Sequence, residues 1–193
     1  MVKDTQQIYD EIASEYDAKY VEGDNNPYMF DEMMAGSHFK LSLIFNIQDE
    51  SQCPNNKIIS LGCGTGQDVE ILGNPQYFVG YDISEEMLKV ARKKFPHQNF
   101  IQRDCSELID TKGDILVSIF GTPNYIGPDM LKKHYEHMGC KHGFFVFYNE
   151  DYKDGVVPEY HVTSEDSLKE SFKEYSPRVL PLYTNSNYYV VAW

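Results

Sequence analysis

Long apolar runs are missing from this chain. No stretch approaches the roughly 18 consecutive apolar residues that a membrane-spanning helix needs. The opening MVKDTQQIYDEIASEYDAKY has no apolar signal core and is acidic, which reads as neither a secretory nor an organellar signal. Cysteine is sparse. The four residues, at positions 53, 63, 105 and 140, include no C-x-x-C pair, so neither a disulfide framework nor a zinc site is announced. Basic side chains are also scarce, with 17 Lys and Arg against 30 Asp and Glu. Nucleic-acid partners call for a basic surface that displaces counterions, and none is visible here. These absences lead to the expectation of a cytoplasmic protein with reduced thiols, no membrane segment, no metal and no nucleic-acid partner.

The acidity is unevenly spread. Residues 1–50 carry 3 basic and 11 acidic side chains, residues 51–149 carry 10 and 11, and residues 150–193 carry 4 and 8. A near-neutral middle is flanked by acidic ends. Such runs ordinarily keep a protein soluble, but they can also tune the charge of a site that they surround.

What remains is an ordinary globular composition. The 193 residues are 41% hydrophobic and 24% charged, enough for one domain with a real core. Helices are expected over about 4–20 and 28–47, the second placing Phe39, Leu43 and Ile47 four apart. The turn-rich EGDNNP separates the two helices, and DESQCPNN leads out of the second. From Lys57 the pattern alternates. KIISLG, YFVGYDIS, NFIQRD, DILVSIFG and GFFVFYNE read as strands. GQDVEILG, SEEMLKVARKKF, GPDMLKKHYEHMG and SEDSLKESFKEY read as helices, and RVLPLYT with NYYVVAW as a closing strand pair around NSN. Ser84 is the expected N-cap of the helix that starts with Glu85. Apolar strands alternating with helices imply a doubly wound α/β sheet covered on both faces. The expected architecture is a mostly parallel seven-stranded, Rossmann-like sheet with an antiparallel C-terminal hairpin. Residues 1–193 form one domain, with 1–50 as a helical cap and 51–193 as the core.

The first strand runs into IISLGCGTGQDVE, with glycines at 62, 64 and 66. A phosphate-binding loop of the G-x-x-x-x-G-K-[ST] type requires a lysine that is not there, and Asp68 would repel a phosphate. The dinucleotide fingerprint G-x-G-x-x-G requires its third glycine at Gln67. The spacing G-x-G-x-G instead bares three backbone positions on which a ligand can lie. Asp82 ends the second strand and can accept from both hydroxyls of a ribose; Asp104 ends the third at the same rim. A nucleoside without an obligatory phosphate fits this set.

At these residues the sequence resembles the class I S-adenosylmethionine-dependent methyltransferases of the small single-domain type. The likeness extends from IYDEIASEYD to NYYVVAW. It implies that Gly62, Cys63, Gly64 and Gly66 approach the cofactor, that Asp82 binds its ribose, and that Met87 packs on its adenine. Asp104 and the backbone at Cys105 would meet the adenine amino group, with Ile83, Ser118 and Phe120 completing the cofactor-binding set. The family tends to carry a YD…A…YD segment, matched here by Tyr9, Asp10, Ala13, Tyr16 and Asp17, which places Tyr16 near the methyl donor. The family commonly has an acid two residues before the first glycine. Here that residue is Ser60, so backbone carbonyls near Gly62 are expected to hold the methionine ammonium.

Methyl transfer from a sulfonium is an in-line displacement with an activated donor, so alignment supplies most of the catalysis and a base helps where the acceptor must lose a proton. The candidate catalytic residues are His38, Tyr16 and Asn124, with Tyr125, Tyr148, Glu150 and His161 also at the rim. GTPNYI shares only Pro123 with the [N/D/S]-P-P-[Y/F] motif of enzymes that methylate amino groups of nucleic-acid bases, which argues against that activity. His134 and His137 lie three apart with no third ligand nearby, so no metal is expected. The resulting expectation is methyl transfer to a small-molecule acceptor. Acidic surroundings and many tyrosines favour an amine. The alternatives are an RNA or protein acceptor, or a cofactor-binding module without catalysis.

Overall fold

The computed structural model describes residues 4–20, 28–46, 57–152 and 162–193. His161 and most of the acidic segment after the fifth strand lie outside them, as does Cys53. Six helices and seven strands are formed by the described residues. In chain order these are α1 (Thr5–Tyr20), α2 (Met29–Asn46), β1 (Ile58–Leu61), α3 (Gln67–Ile71), β2 (Phe78–Asp82), α4 (Glu85–Lys94), β3 (Asn99–Gln102), β4 (Ile115–Ile119), α5 (Thr122–Met138), β5 (His142–Tyr148), α6 (Glu165–Ser171), β6 (Arg178–Pro181) and β7 (Tyr188–Ala192).

The sheet order is β3-β2-β1-β4-β5-β7-β6. β1 pairs in parallel with both β2 and β4, starting from Ile58 opposite Phe78 and Ile115. β7 runs antiparallel between β5 and β6. The expected hairpin is therefore present, with its second strand placed inside the sheet. The order reverses between β1 and β4, and in an open α/β sheet that reversal opens a crevice at the strand C-termini.

Strand residues alternate between two apolar layers. In β5, Phe144 and Val146 join the layer under α2, whereas Phe145 and Phe147 join the layer under α5 and α6. All four are fully buried, and each large side chain so removed from water stabilises by about 2–3 kcal/mol. Phe39 of α2 sets its ring edge-on to Phe144 at 5.3 Å. Thus α2 is one of the helical layers over the sheet, while α1 lies against α4. Ser42 of α2 places its hydroxyl 3.0 Å from Nε2 of the buried His142 at the start of β5.

Local signals account for most boundaries. The Ser84 hydroxyl accepts from the Met87 amide at 3.1 Å and caps α4, and Ser164 caps α6 in the same way through Ser167. One boundary differs from expectation. α5 begins at Thr122, not at Gly127, because Pro123 occupies its first turn, where a missing amide costs nothing. Gly127, at φ 77° and ψ 165°, then kinks it, and the next residue, Pro128, opens the second half. α3 is shorter than expected and spans only Gln67–Ile71.

Candidate functional site

An open cavity lies over the C-terminal ends of β1, β2 and β4, with about 1420 Å³ of atom-free space inside and at its mouth. Its floor is the glycine turn. Gly62 and Gly64 have positive φ, at 79° and 51°, but for different reasons. A Cβ on Gly62 would lie 1.8 Å from the Thr122 hydroxyl, whereas one on Gly64 would meet nothing within 4 Å and point into open space. Gly66 faces away from the cavity and packs on Phe95 and Ala91. Bare backbone thus serves packing at positions 62 and 66 and ligand access at position 64.

Asp82 ends β2 at the cavity wall. One carboxylate oxygen accepts from the Gly64 amide at 2.8 Å and the other from the Ser84 amide at 2.9 Å. The Ile83 backbone is a third partner, and with about four acceptor sites the carboxylate keeps capacity for a further donor. Burial raises the Asp82 pKa, opposed by these backbone hydrogen bonds. Ile83 and the buried Met87 continue the wall as apolar surface, and Asp104 and Cys105 enter it from the turn after β3. Asp104 is exposed and accepts from the Ser106 amide at 2.8 Å. Cys63 and Cys105 both line the cavity. Burial is the main cause that pushes each thiol well above its usual range, with Asp82 adding to it.

At the end of β4, Phe120 holds φ 55° beside Gly121 at φ 60°. A bulky residue in the left-handed region is strained and marks functional backbone more often than chance. The twist turns the Phe120 ring into the cavity, edge-on to Tyr188 at 5.0 Å. Tyr188 lies 5.2 Å from Tyr148, which stacks on Tyr152 at 3.8 Å. These four rings form one aromatic wall of the cavity.

α1 closes the opposite side. Thr5, Tyr9, Ile12 and Tyr16 line the cavity, and the residues next to the two tyrosines tie the helix down. Asp10 accepts from the Ser84 hydroxyl at 2.5 Å. Asp17 accepts from the Thr65 hydroxyl at 2.5 Å and from Lys94 Nζ at 2.7 Å. The seven-residue repeat of Tyr-Asp therefore presents its rings to the cavity and its carboxylates to the turns of the core.

Ten of the residues expected at the site line this cavity: Tyr16, Gly62, Cys63, Gly64, Asp82, Ile83, Met87, Asp104, Cys105 and Phe120. The structure places four others elsewhere. Gly66 is a packing position. Ser118 is buried in β4 and donates to the Leu61 carbonyl at 2.7 Å. His38 has its Nε2 2.9 Å from the Leu182 carbonyl, on the sheet side of α2. Asn124 is fully buried; its amide donates to the Tyr148 carbonyl at 3.0 Å and its carbonyl accepts from the Tyr148 amide at 2.7 Å. It braces the aromatic wall from behind and does not reach the cavity. Tyr125 and Tyr148, by contrast, are lining residues. His134 is buried with its Nε2 2.9 Å from the Cys105 carbonyl, and among the described residues no three His, Cys, Asp or Glu could hold a metal. Among those residues, too, no helix is long and apolar enough to cross a membrane.

Asp68 joins the lining without being among the residues expected there. It sits in the first turn of α3, is 4% exposed and lines the cavity. The Ser60 hydroxyl of β1 donates to its Oδ2. Burial is the largest cause that raises its pKa to about 7, with Asp82 and Glu32 adding to the effect and Ser60 opposing it. The signal in sequence is only a serine and an aspartate on either side of a glycine turn.

Residues 58–140 match the family described as a methyltransferase domain. The chain resembles an uncharacterized protein of Methanocaldococcus jannaschii, with 28% identity over 144 residues, 73% of this chain and 49% of that protein. It spans about half the length of that curated relative. Among solved structures it superposes on the DhpI–SAM–HEP complex with TM-score 0.68 and 19% identity, covering 99% of both chains. For magnesium protoporphyrin IX methyltransferase of Synechocystis with bound SAH the TM-score is 0.65 at 13% identity, covering 98% of both chains. For the CcbJ methyltransferase of Streptomyces caelestis it is 0.69 at 15% identity, again covering 98% of both. The match over residues 58–140 is to a methyltransferase domain, and the chain shares its fold with these solved methyltransferase structures.

Proposed function

We propose that this protein transfers a methyl group from S-adenosylmethionine to a small amine. The cofactor's needs match the cavity: Asp82 offers acceptors for the ribose hydroxyls, Met87 and Ile83 an apolar slot for adenine, and Gly64 bare backbone for close approach. Asp104 and the backbone at Cys105, on the same wall, are suited to the polar edge of the adenine. The cofactor supplies an electrophilic methyl carbon when bound. The chain's own task is to hold a nucleophile in line with it and to exclude water, with alignment contributing several kcal/mol. Tyr16 from α1 and the aromatic wall of Phe120, Tyr188, Tyr148 and Tyr152 enclose the acceptor.

The observation that carries the amine reading is the charge of the lining. Among the described residues, the cavity wall has seven tyrosines and four carboxylates, and no Lys, Arg or His. A phosphate or carboxylate acceptor would be desolvated there beside like charge, at a cost of several kcal/mol. An ammonium would gain ring-face attraction of about 0.5–2 kcal/mol per contact and could pass its proton to Glu32 on α2 before attack. Turnover of S-adenosylmethionine with a panel of primary and secondary amines, set against carboxylates, phosphates and phenols, tests this. Formation of S-adenosylhomocysteine with amines alone is the expected result. Turnover with anionic acceptors overturns the acceptor assignment, and failure to bind either cofactor form overturns the whole reading.

A further inference from the structure

We infer that Asp68 is the anionic partner of the cofactor's methionine ammonium, and that Ser60 holds its carboxylate in position. This rests on the cofactor reading above and assigns the ammonium to a side chain, where sequence alone points to backbone carbonyls near Gly62.

The first reason is the cost of Asp68. A carboxylate 4% exposed is desolvated, and such a group is stable as an anion only beside a cation or a full set of donors. The Ser60 hydroxyl donates to its Oδ2. The charged and titratable groups that face it make matters worse. Asp82 on β2 and Glu32 on α2 both act on it as like charges. The Cys63 thiol, in the turn after β1, is held neutral by burial, with Asp82 and Asp68 adding to that effect. Among the described residues, the lining contains no cationic side chain. In the ligand-free protein burial favours the protonated acid, and a cation brought by a ligand is what would favour the anion.

The second reason is placement. Asp68 is the second residue of α3, directly after the N-cap Gly66 and Gln67, and Gln67 lines the cavity beside it. Asp82, the group suited to the ribose, and Glu32 of α2 line the same cavity as Asp68 and both act on it. A nucleoside whose ribose lies on Asp82 extends its amino-acid arm across bare Gly64 towards Asp68. Asp68 repels an anion, but a primary ammonium fits it. Ser60 is a positioning residue: its hydroxyl occupies Oδ2 and leaves the rest of the carboxylate to the ligand.

The test compares S-adenosylhomocysteine with 5′-methylthioadenosine, which shares the nucleoside and thioether but lacks the ammonium arm. Calorimetric titration of the wild type is expected to show both binding, with the first tighter. Binding of S-adenosylhomocysteine should release more protons at pH 6 than 5′-methylthioadenosine does, because the ammonium ionises Asp68. Asp68→Asn should weaken S-adenosylhomocysteine about 10- to 100-fold and leave 5′-methylthioadenosine unchanged. Ser60→Ala should give a smaller loss in the same ligand only. Equal losses for both ligands, or equal proton release in the wild type, overturn the assignment. The proton measurement needs no variant and stands even where Asp68→Asn does not fold. If the wild type binds neither ligand, the fault lies with the cofactor reading itself.

Discussion

The two glycines at the floor of the cavity separate folding from binding at single positions. At Gly62 a methyl group would overlap the Thr122 hydroxyl and Cβ, at 1.8 and 2.5 Å, so the start of α5 must move. Gly62→Ala is expected to destabilise the protein by about 2–4 kcal/mol, from overlap and positive φ together. At Gly64 there is no overlap, only the cost of about 1–2 kcal/mol for an alanine in the left-handed region. Gly64→Ala should therefore fold, with a melting temperature about 2–8 °C below that of the wild type, and lose most of its affinity for S-adenosylhomocysteine, since the added methyl fills ligand space. Thermal melts and titrations on the two variants check this. Equal stability losses would mean that the turn is not divided in this way.

At the scale of elements, α1 stands out because carboxylates hold it to the core. Asp10 on Ser84 and Asp17 on Thr65 and Lys94 tie it to the turns after β1 and β2 and to α4. Hydrogen bonds to charged groups contribute about 1.5–3 kcal/mol each. Asp17→Asn is expected to lower the melting temperature by several degrees and to speed release of S-adenosylhomocysteine by roughly 10-fold, read by stopped-flow displacement. An unaltered release rate would show that the anchoring of α1 does not control escape from the cavity. The Tyr-Asp repeat is legible in sequence as part of a family pattern, as are the glycine turn, Asp82 and the alternation of strands and helices. These signals are local: they lie within one turn or one strand. Contacts that depend on distant elements are not legible. Asn124 looks like a rim polar residue until the end of β5, at Tyr148, is seen to use both ends of its buried amide. The start of α5 is ambiguous in sequence because Gly127-Pro128 and Pro123 are equally good openings, and only packing selects. Tyr188 reaches the cavity because β7 inserts beside β5, which a strand pattern cannot reveal. Asp68 and Ser60 are eight residues apart, and their hydrogen bond exists only because the glycine turn folds α3 back over β1.

Across the whole molecule, two buried groups give stability opposite pH dependences. His142 has a pKa lowered to about 4, chiefly by burial. Its unfolded form takes up a proton first, so stability present above pH 6.5 is lost as pH falls towards 4. Asp68, raised to about 7, keeps its proton when folded and loses it when unfolded. Its contribution is present below pH 3.8 and is lost as pH rises towards 7. Each shift corresponds to a few kcal/mol at about 1.4 kcal/mol per unit. In the ligand-free protein Asp68→Asn should become progressively stabilising from about pH 4 to about pH 7, relative to the wild type, in urea unfolding at stepped pH. A ΔΔG that does not vary with pH would show that Asp68 titrates normally. The same burial has a bearing on chemical longevity. A sulfonium methyl donor alkylates thiolates without any catalyst, and Cys63 and Cys105 both face the cavity proposed to hold it. Only the ionised sulfur is a strong nucleophile. By keeping both thiols protonated at neutral pH, the fold would leave such a donor no reactive sulfur to attack in the cavity.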